Sequence, residues 1–409
     1  MTVPITPEWF PRDKVCIVGH GQTEYTPWGQ ITRPEFQLAL EAIIAAVADA
    51  GLDMKDIDGF ASYADDRSDP ARLATYLGIP HLRYANMHWG GGGGGGSGSI
   101  MNALLAVASG SANYVVCYRS LAQGQFGRFG QGRAAAGTRL TDSAAFSTPW
   151  GISNAAQRYA LQARRHMSLY GTQSKHFSMI SVACYKHASR NPAAVQYPHT
   201  DVPSALKGFA HGPLTLEEAE NARIIADPIR LFHCCLENDG SAAIVVTSAE
   251  RARDLKWPPV YIMAANQGSG FRQEAGAYNK ADFDTANFEK TADDLWAKAG
   301  IGPKDIDVAQ VYENMTPMTL MSIENHGFCK KGEGGSFVED GRIEWPNGDL
   351  PINTSGGNIA ECYMHGFELN IEATRQMRGT STCQVKDAET CLVASGPGVS
   401  PVTDMVVRR

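Results

Sequence analysis

Only 19% of the 409 residues are charged, and acidic side chains outnumber basic ones for a net charge of −7. A chain with no basic excess is poorly suited to hold a polyanionic backbone, so nucleic acid is excluded as its main partner. No apolar run reaches the roughly 18 residues that a membrane span needs. The start, "MTVPITPEWFPRDKVCIVGHGQTEY", has no basic stretch followed by an apolar one. No secretory leader is read there, and the cytoplasm is the expected compartment. Nine cysteines are present without a C-x-x-C pair, and the adjacent Cys234–Cys235 suits neither a zinc site nor a disulfide framework. Reduced thiols packed as small hydrophobes account for them, so no metal site is expected in this chain. A hydrophobic content of 43% excludes a disordered chain.

Glycine is what the chain has in abundance. Seven of its 42 glycines run consecutively from Gly90 to Gly96 within "NMHWGGGGGGGSGSIMNALLAVASG". A flexible linker would continue into polar or proline-rich text on both sides. Instead Ile100, Leu104, Leu105 and Val107 recur among alanines at helical spacing, Gly110 ends the helix, and "ANYVVCYRS" reads as a buried strand. The run is therefore a turn into a buried helix. Two roles stay open for it: close packing, or a ligand site where free backbone N–H groups meet developing negative charge.

"KVCIVGHGQTEY" reads as a first strand, and "RPEFQLALEAIIAAVADAGLDMKDIDGF" as an amphipathic helix, a glycine stop and a turn into the next strand. "FEKTADDLWAKAGIGPKDIDVAQVYENMTP" repeats that order, so Lys55-Asp56-Ile57-Asp58 and Lys304-Asp305-Ile306-Asp307 look like equivalent points of two α/β copies. We place the first half at 1–256, including an excursion at about 119–235, and the second at 257–409. Arg128, Arg133 and Arg139 lie in that excursion, either toward an anionic substrate or in solvent. Helical text runs from Ser153 to about His187, and Asp239-Gly240 reads as a structural turn before a buried strand.

Four words, "NDGSAAIVVTS", "KDIDVAQVYENMTPMTLMSIENHGFCKKGEG", "LPINTSGGNIAECYMHGFELNIEATRQMRG" and "CLVASGPG", together with the duplication, resemble the thiolase superfamily, in particular its sterol-carrier-type branch. The resemblance implies an α/β fold of two five-stranded βαβαβαββ halves in a five-layer αβαβα arrangement. It further implies a homodimer and an acyl-CoA thioester held between the halves. The departures from the family carry the functional reading. The nucleophilic cysteine of a thiolase falls at Gly93, its two catalytic histidines at Tyr312 and Tyr363, and its last cysteine at Leu392, with Cys391 one residue away. A glycine cannot form an acyl-enzyme, so thiolysis through that residue is excluded. The pattern resembles the thiolase-fold aldolases of bacterial steroid side-chain degradation, often named lipid-transfer proteins.

Such aldolases break Cα–Cβ of a β-hydroxyacyl-CoA, releasing a ketone or aldehyde and acetyl- or propionyl-CoA. The reaction requires a base at the hydroxyl, an acid at the enolate carbon and donors at the thioester oxygen. Tyr312 and Tyr363 are the expected acid/base pair, on condition that positive charge or hydrogen bonds stabilise a phenolate. His365 either orients a phenol, serves as the base, or is structural. Gly93, Gly94, Asn314, Gly356 and Gly357 are the expected substrate-binding residues, the vacated Gly93 position admitting a bulky acyl group. The resemblance also implies a zinc-ribbon/OB-fold partner forming a heterotetramer, with zinc held by that partner and no cofactor in this chain. Two rivals remain: carbon–carbon chemistry through another thiol such as Cys362, and a non-catalytic acyl-CoA or lipid carrier.

Overall fold

In the computed structural model, residues 7–63, 66–90, 92–127, 144–198, 212–272 and 282–409 are described. The first copy opens with β1 (Val15–Gln22), whose β-branched text suits a buried strand. It continues through α1 (Glu35–Ala50), β2 (Gly59–Tyr63), α2 (Pro70–Leu77), β3 (Tyr84–His88), α3 (Gly95–Ala108) and β4 (Tyr114–Ala122). Leu38, Ala39, Ala42, Ile43, Ala46, Val47 and Ala50 give α1 one buried stripe, and Gly51 at φ 74° ends it. After β4, helices α4 (Ala155–Tyr170) and α5 (Ser174–Ala188) leave the sheet before β5 (Asn238–Ser248) returns to it. The second copy is β6 (Val260–Gly268), α6 (Glu289–Ala299), β7 (Val308–Val311), α7 (Thr316–Asn325), α8 (Phe367–Arg378), β8 (Thr390–Ser395) and β9 (Val402–Arg408).

The sheet order is β3-β2-β4-β5-β1 in the first copy and β7-β8-β9-β6 in the second, with β1 and β6 joined edge to edge at Cys16–Tyr261 and Ile17–Val260. Parallel pairs at the outer strands and antiparallel pairs at the inner ones repeat in both copies. Helices α3 and α8 touch strands of both copies and each other, while α1 covers the outer face of the first and α6 that of the second. Five layers result, as the family likeness implied. The duplicated turns hold matching places. Asp58 accepts N–H bonds from Asn113 and Tyr114 at the start of β4, and Asp307 accepts them from Glu389 and Thr390 at the start of β8.

Three expectations are corrected. Among the described residues the second copy shows no full fifth strand, and a single bridge between Ala309 and Ile352 stands in its place. Pro351 offers no N–H, and Asn353, at φ 48°, turns its side chain to bond both backbone groups of Val311 at 2.7 Å. Asp239-Gly240 lies inside β5, where the Asp239 carboxylate accepts the N–H groups of Gly29 and Gly124. The helical text of 153–187 is two helices, parted at Gly171, φ 72°. Arg128, Arg133 and Arg139 lie outside the described residues.

Asp58 is buried and its donors Asn113 and Tyr114 are half-buried, whereas Asp307 is exposed. Asp58→Ala is expected to cost about 2 kcal/mol and Asp307→Ala about 1 kcal/mol, because the first leaves its donors in the drier surroundings. Urea denaturation of the two variants checks the order, and equal losses would contradict it.

Candidate active site

The glycine run ends in a short turn, Gly92–Gly94, from which α3 starts. At Gly93 a Cβ would lie 2.5 Å from Cζ of Tyr312. The space a thiolase gives to its nucleophile is thus filled by a phenol ring, which corrects the expectation of an open pocket there. Gly366, at φ 77°, presses on the other side of the ring, where a Cβ would come within 2.3 Å. Clasped between two bare backbones, Tyr312 donates its O–H to the Tyr363 oxygen at 2.9 Å. Tyr312 retains 1% of its exposure and Tyr363 7%, so Tyr363 is the outer member.

Burial pushes both phenols well above their ordinary range. The condition set for a resting phenolate is therefore not met. The donated hydrogen bond favours negative charge on Tyr363 over Tyr312. His365, fully buried and at φ 52°, sits edge-on to Tyr363 with ring centroids 5.0 Å apart. Its Nδ1 lies 2.8 Å from the Arg119 guanidinium, and its Nε2 lies over Gly92, 3.1 Å from where a Cβ would be. Arginine has no lone pair to offer, so Nδ1 must accept, and the ring is neutral with its hydrogen on Nε2. Burial, Arg119 and Arg67 hold its pKa well below the usual histidine range. A ring whose one lone pair is occupied cannot be the base.

The remaining expected residues have contacts of their own within the protein. The Asn314 side chain donates to the Pro397 carbonyl at 3.3 Å and accepts from the Met315 N–H at 2.8 Å. Gly356 abuts Ala188. Gly357, at φ 59°, leaves room for Glu313, whose Oε1 would lie 1.8 Å from a Cβ. Glu313 takes an N–H from Asn358 at 2.7 Å, and burial raises its pKa to about 8. Gly94 packs against the Pro401 carbonyl. Leu392 and Cys391 pair with Ala309 and Val308 inside β8, and the segment that reaches the glycine turn is Ser395–Gly396. Cys362 is buried with Tyr25, and burial and nearby carboxylates keep it a thiol. Sequence reading missed Arg119, Asp66 and Tyr63. The signal for the first was a charge inside the apolar run "YVVCYRSLA". Among the described residues no group of three or more His, Cys, Asp or Glu is placed to hold a metal ion, and no helix is long and apolar enough to cross a membrane.

Residues 271–407 match the family described as Thiolase C-terminal domain-like. The chain is 40% identical over 404 residues to the 17-hydroxy-3-oxo-4-pregnene-20-carboxyl-CoA lyase of Mycobacterium tuberculosis, covering 96% of this chain and 99% of that protein. It is 39% identical to the steroid side-chain-cleaving aldolase of Thermomonospora curvata, over 96% and 97% of the two chains. The chain belongs to the thiolase superfamily. Within it the chain is of the sterol-carrier-type, thiolase-like kind, and it is a carbon–carbon lyase. The solved Ltp2-ChsH2(DUF35) aldolase superposes with a TM-score of 0.86 at 36% identity, over 97% of this chain and 98% of that one. This member of the superfamily thus keeps the fold, with the Tyr312 ring packed against Gly93.

Gly93→Ala is expected to lower stability by about 1–3 kcal/mol through overpacking against Tyr312. In a double-mutant cycle with Tyr312→Ala the loss should be smaller than the sum, and additivity would show that the two do not touch. Glu313 is raised above its unfolded value. Its stabilisation is fully present below about pH 4.5 and fades as pH rises toward about 8. Glu313→Gln should therefore gain stability relative to the native chain as pH rises from 5 to 8, as measured by thermal denaturation. A pH-independent difference would contradict it.

Proposed function

We propose that this chain cleaves the Cα–Cβ bond of a β-hydroxyacyl-CoA by a retro-aldol reaction, its substrate a steroid side-chain thioester bearing a tertiary alcohol. The carrying observation is the Tyr312–Tyr363 hydroxyl pair, 2.9 Å apart, standing where a thiolase keeps its covalent machinery. As the bond breaks, the β-hydroxyl loses its proton and becomes the ketone. The Cα–Cβ electron pair leaves as the enolate of acetyl- or propionyl-CoA, and Cα takes a proton. The net change is one proton moved from oxygen to carbon. Two hydrogen-bonded phenols can carry it without either resting as a phenolate, which reconciles the chemistry with their raised pKa values. Tyr363, the outer phenol, faces the substrate and Tyr312 relays behind it. Gly93 and Gly94 border the thioester with backbone, while Asn314, Gly356 and Gly357 brace the site from behind.

The names of the relatives support the substrate class: one is a steroid carboxyl-CoA lyase and another a steroid side-chain-cleaving aldolase. The likeness to the solved Ltp2-ChsH2(DUF35) aldolase supports a two-component assembly. By likeness, we take this chain to form a cytoplasmic homodimer that binds a zinc-ribbon/OB-fold partner, the zinc residing in the partner and no cofactor in this chain.

Co-expressed with such a partner and given a steroid β-hydroxyacyl-CoA without free CoA, the chain should release a ketone and a shorter acyl-CoA, followed by mass spectrometry. Tyr363→Phe and Tyr312→Phe should each lower kcat by about 10²–10⁴-fold, and Cys362→Ser should leave it near native. Products that appear only when free CoA is added would replace this reading with thiolysis.

A further inference from the structure

Arg119 is a charge in the driest part of the molecule. Its side chain is 0% exposed in the middle of β4, and among the described residues its Nε and Nη1 have no hydrogen-bond acceptor. Leaving guanidinium donors unpaired in the interior is costly, and such a group calls for an explanation beyond packing. Asp66 stands 3.7 Å from Nη1, too far for a hydrogen bond, and burial raises its carboxyl while Arg119 opposes the rise. The guanidinium lies 4.8 Å over the Tyr63 ring, whose O–H donates to the Met364 carbonyl at 3.0 Å. Its one close hydrogen bond among these partners is Nη2 to Nδ1 of His365 at 2.8 Å. His365 in turn holds a left-handed backbone that a non-glycine residue adopts only when its surroundings impose it.

We propose that Arg119 is a positioning residue that locks His365 in the tautomer with hydrogen on Nε2, so that this N–H is aimed across Gly92 at the thioester oxygen on which negative charge develops. The proposal rests on the retro-aldol reading for its oxygen, though not for its tautomer. A permanently protonated donor can be met only by the Nδ1 lone pair, which fixes the tautomer without any choice left to the ring. Nε2 then stands beside Tyr363 and the first turn of α3, so the oxygen at one end of the breaking unit and the hydroxyl at the other are served from one edge of the site. Among the described residues, the charged and titratable groups that act on His365 include Arg119 from β4, Arg67 ahead of α2, Tyr63 from β2 and Tyr363, with Asp66 3.7 Å from Arg119. Both cations repel an imidazolium. Together they disfavour the charged ring.

Nitrogen-15 spectra of the histidine-labelled full chain, with the His365 signals assigned by their loss in His365→Asn, read the tautomer directly. Hydrogen on Nε2 and a bare Nδ1 from pH 5.5 to 8.5 is the expected result. Hydrogen on Nδ1, or an imidazolium in that range, overturns the proposal. With the steroid β-hydroxyacyl-CoA and the partner present, Arg119→Met should lose about 100-fold in kcat with KM little changed. It should also gain an acid limb in its pH profile as His365 becomes protonable, and His365→Asn added to it should cost little more. A folded Arg119→Met with native kcat and pH profile overturns the proposal. Should that variant not fold, the native spectra still decide. Absence of products from the native chain would instead sink the retro-aldol reading and leave the tautomer result standing.

Discussion

Backbone meets backbone where α3 begins, and that contact sets the distance between the two halves of the chain. A Cβ on Gly94 would fall 2.5 Å from the Pro401 carbonyl, and one on Gly396 would fall 2.4 Å from the Gly94 nitrogen. Any side chain at these points would part the halves at their centre, and the contact of α3 and α8 with strands of both copies would be lost with them. The glycines are therefore first a packing device. The site follows from it, because the same bare backbone lets one aromatic ring from the second half enter the first.

The fold was legible because its signals are redundant. Helix stripe, glycine stop and the K-D-I-D turn recur in the same order, and each is tied to hydrogen bonds that the structure repeats at Asp58 and Asp307. The fifth strand of the second half was not legible, since its loss turns on Asn353 directing its side chain to Val311, which no periodicity encodes. At the site, the positions of Gly93, Tyr312 and Tyr363 were readable from the motifs, while their mutual contact was not. Motif position says which residues converge along a chain. It does not say that the missing side chain of one is the volume of another. Arg119 was hidden for a related reason: one charge in an apolar strand looks like an edge residue until a buried partner is found for it.

The chemistry of the site is that of a dry interior. Glu313, Glu361 and Glu368 all have their carboxyls raised by burial, as do the phenols of Tyr312 and Tyr363. In such surroundings separated charge is expensive, and a reaction that moves a proton along paired hydroxyls suits them better than one that creates a thiolate and an imidazolium. The exception is the Arg119 guanidinium, held away from the tyrosines and coupled to them through a neutral ring.

The clasp of Tyr312 by Gly93 also bears on how this chain can change over generations. A cysteine at 93 alone would drive its Cβ into the ring, and trimming the ring to an imidazole alone would open a void beside the glycine. Each single step is expected to cost stability, so a change at one position is accommodated only with a matching change at the other. The pair is therefore epistatic by sterics alone: the residue tolerated at one position is set by the volume held at the other.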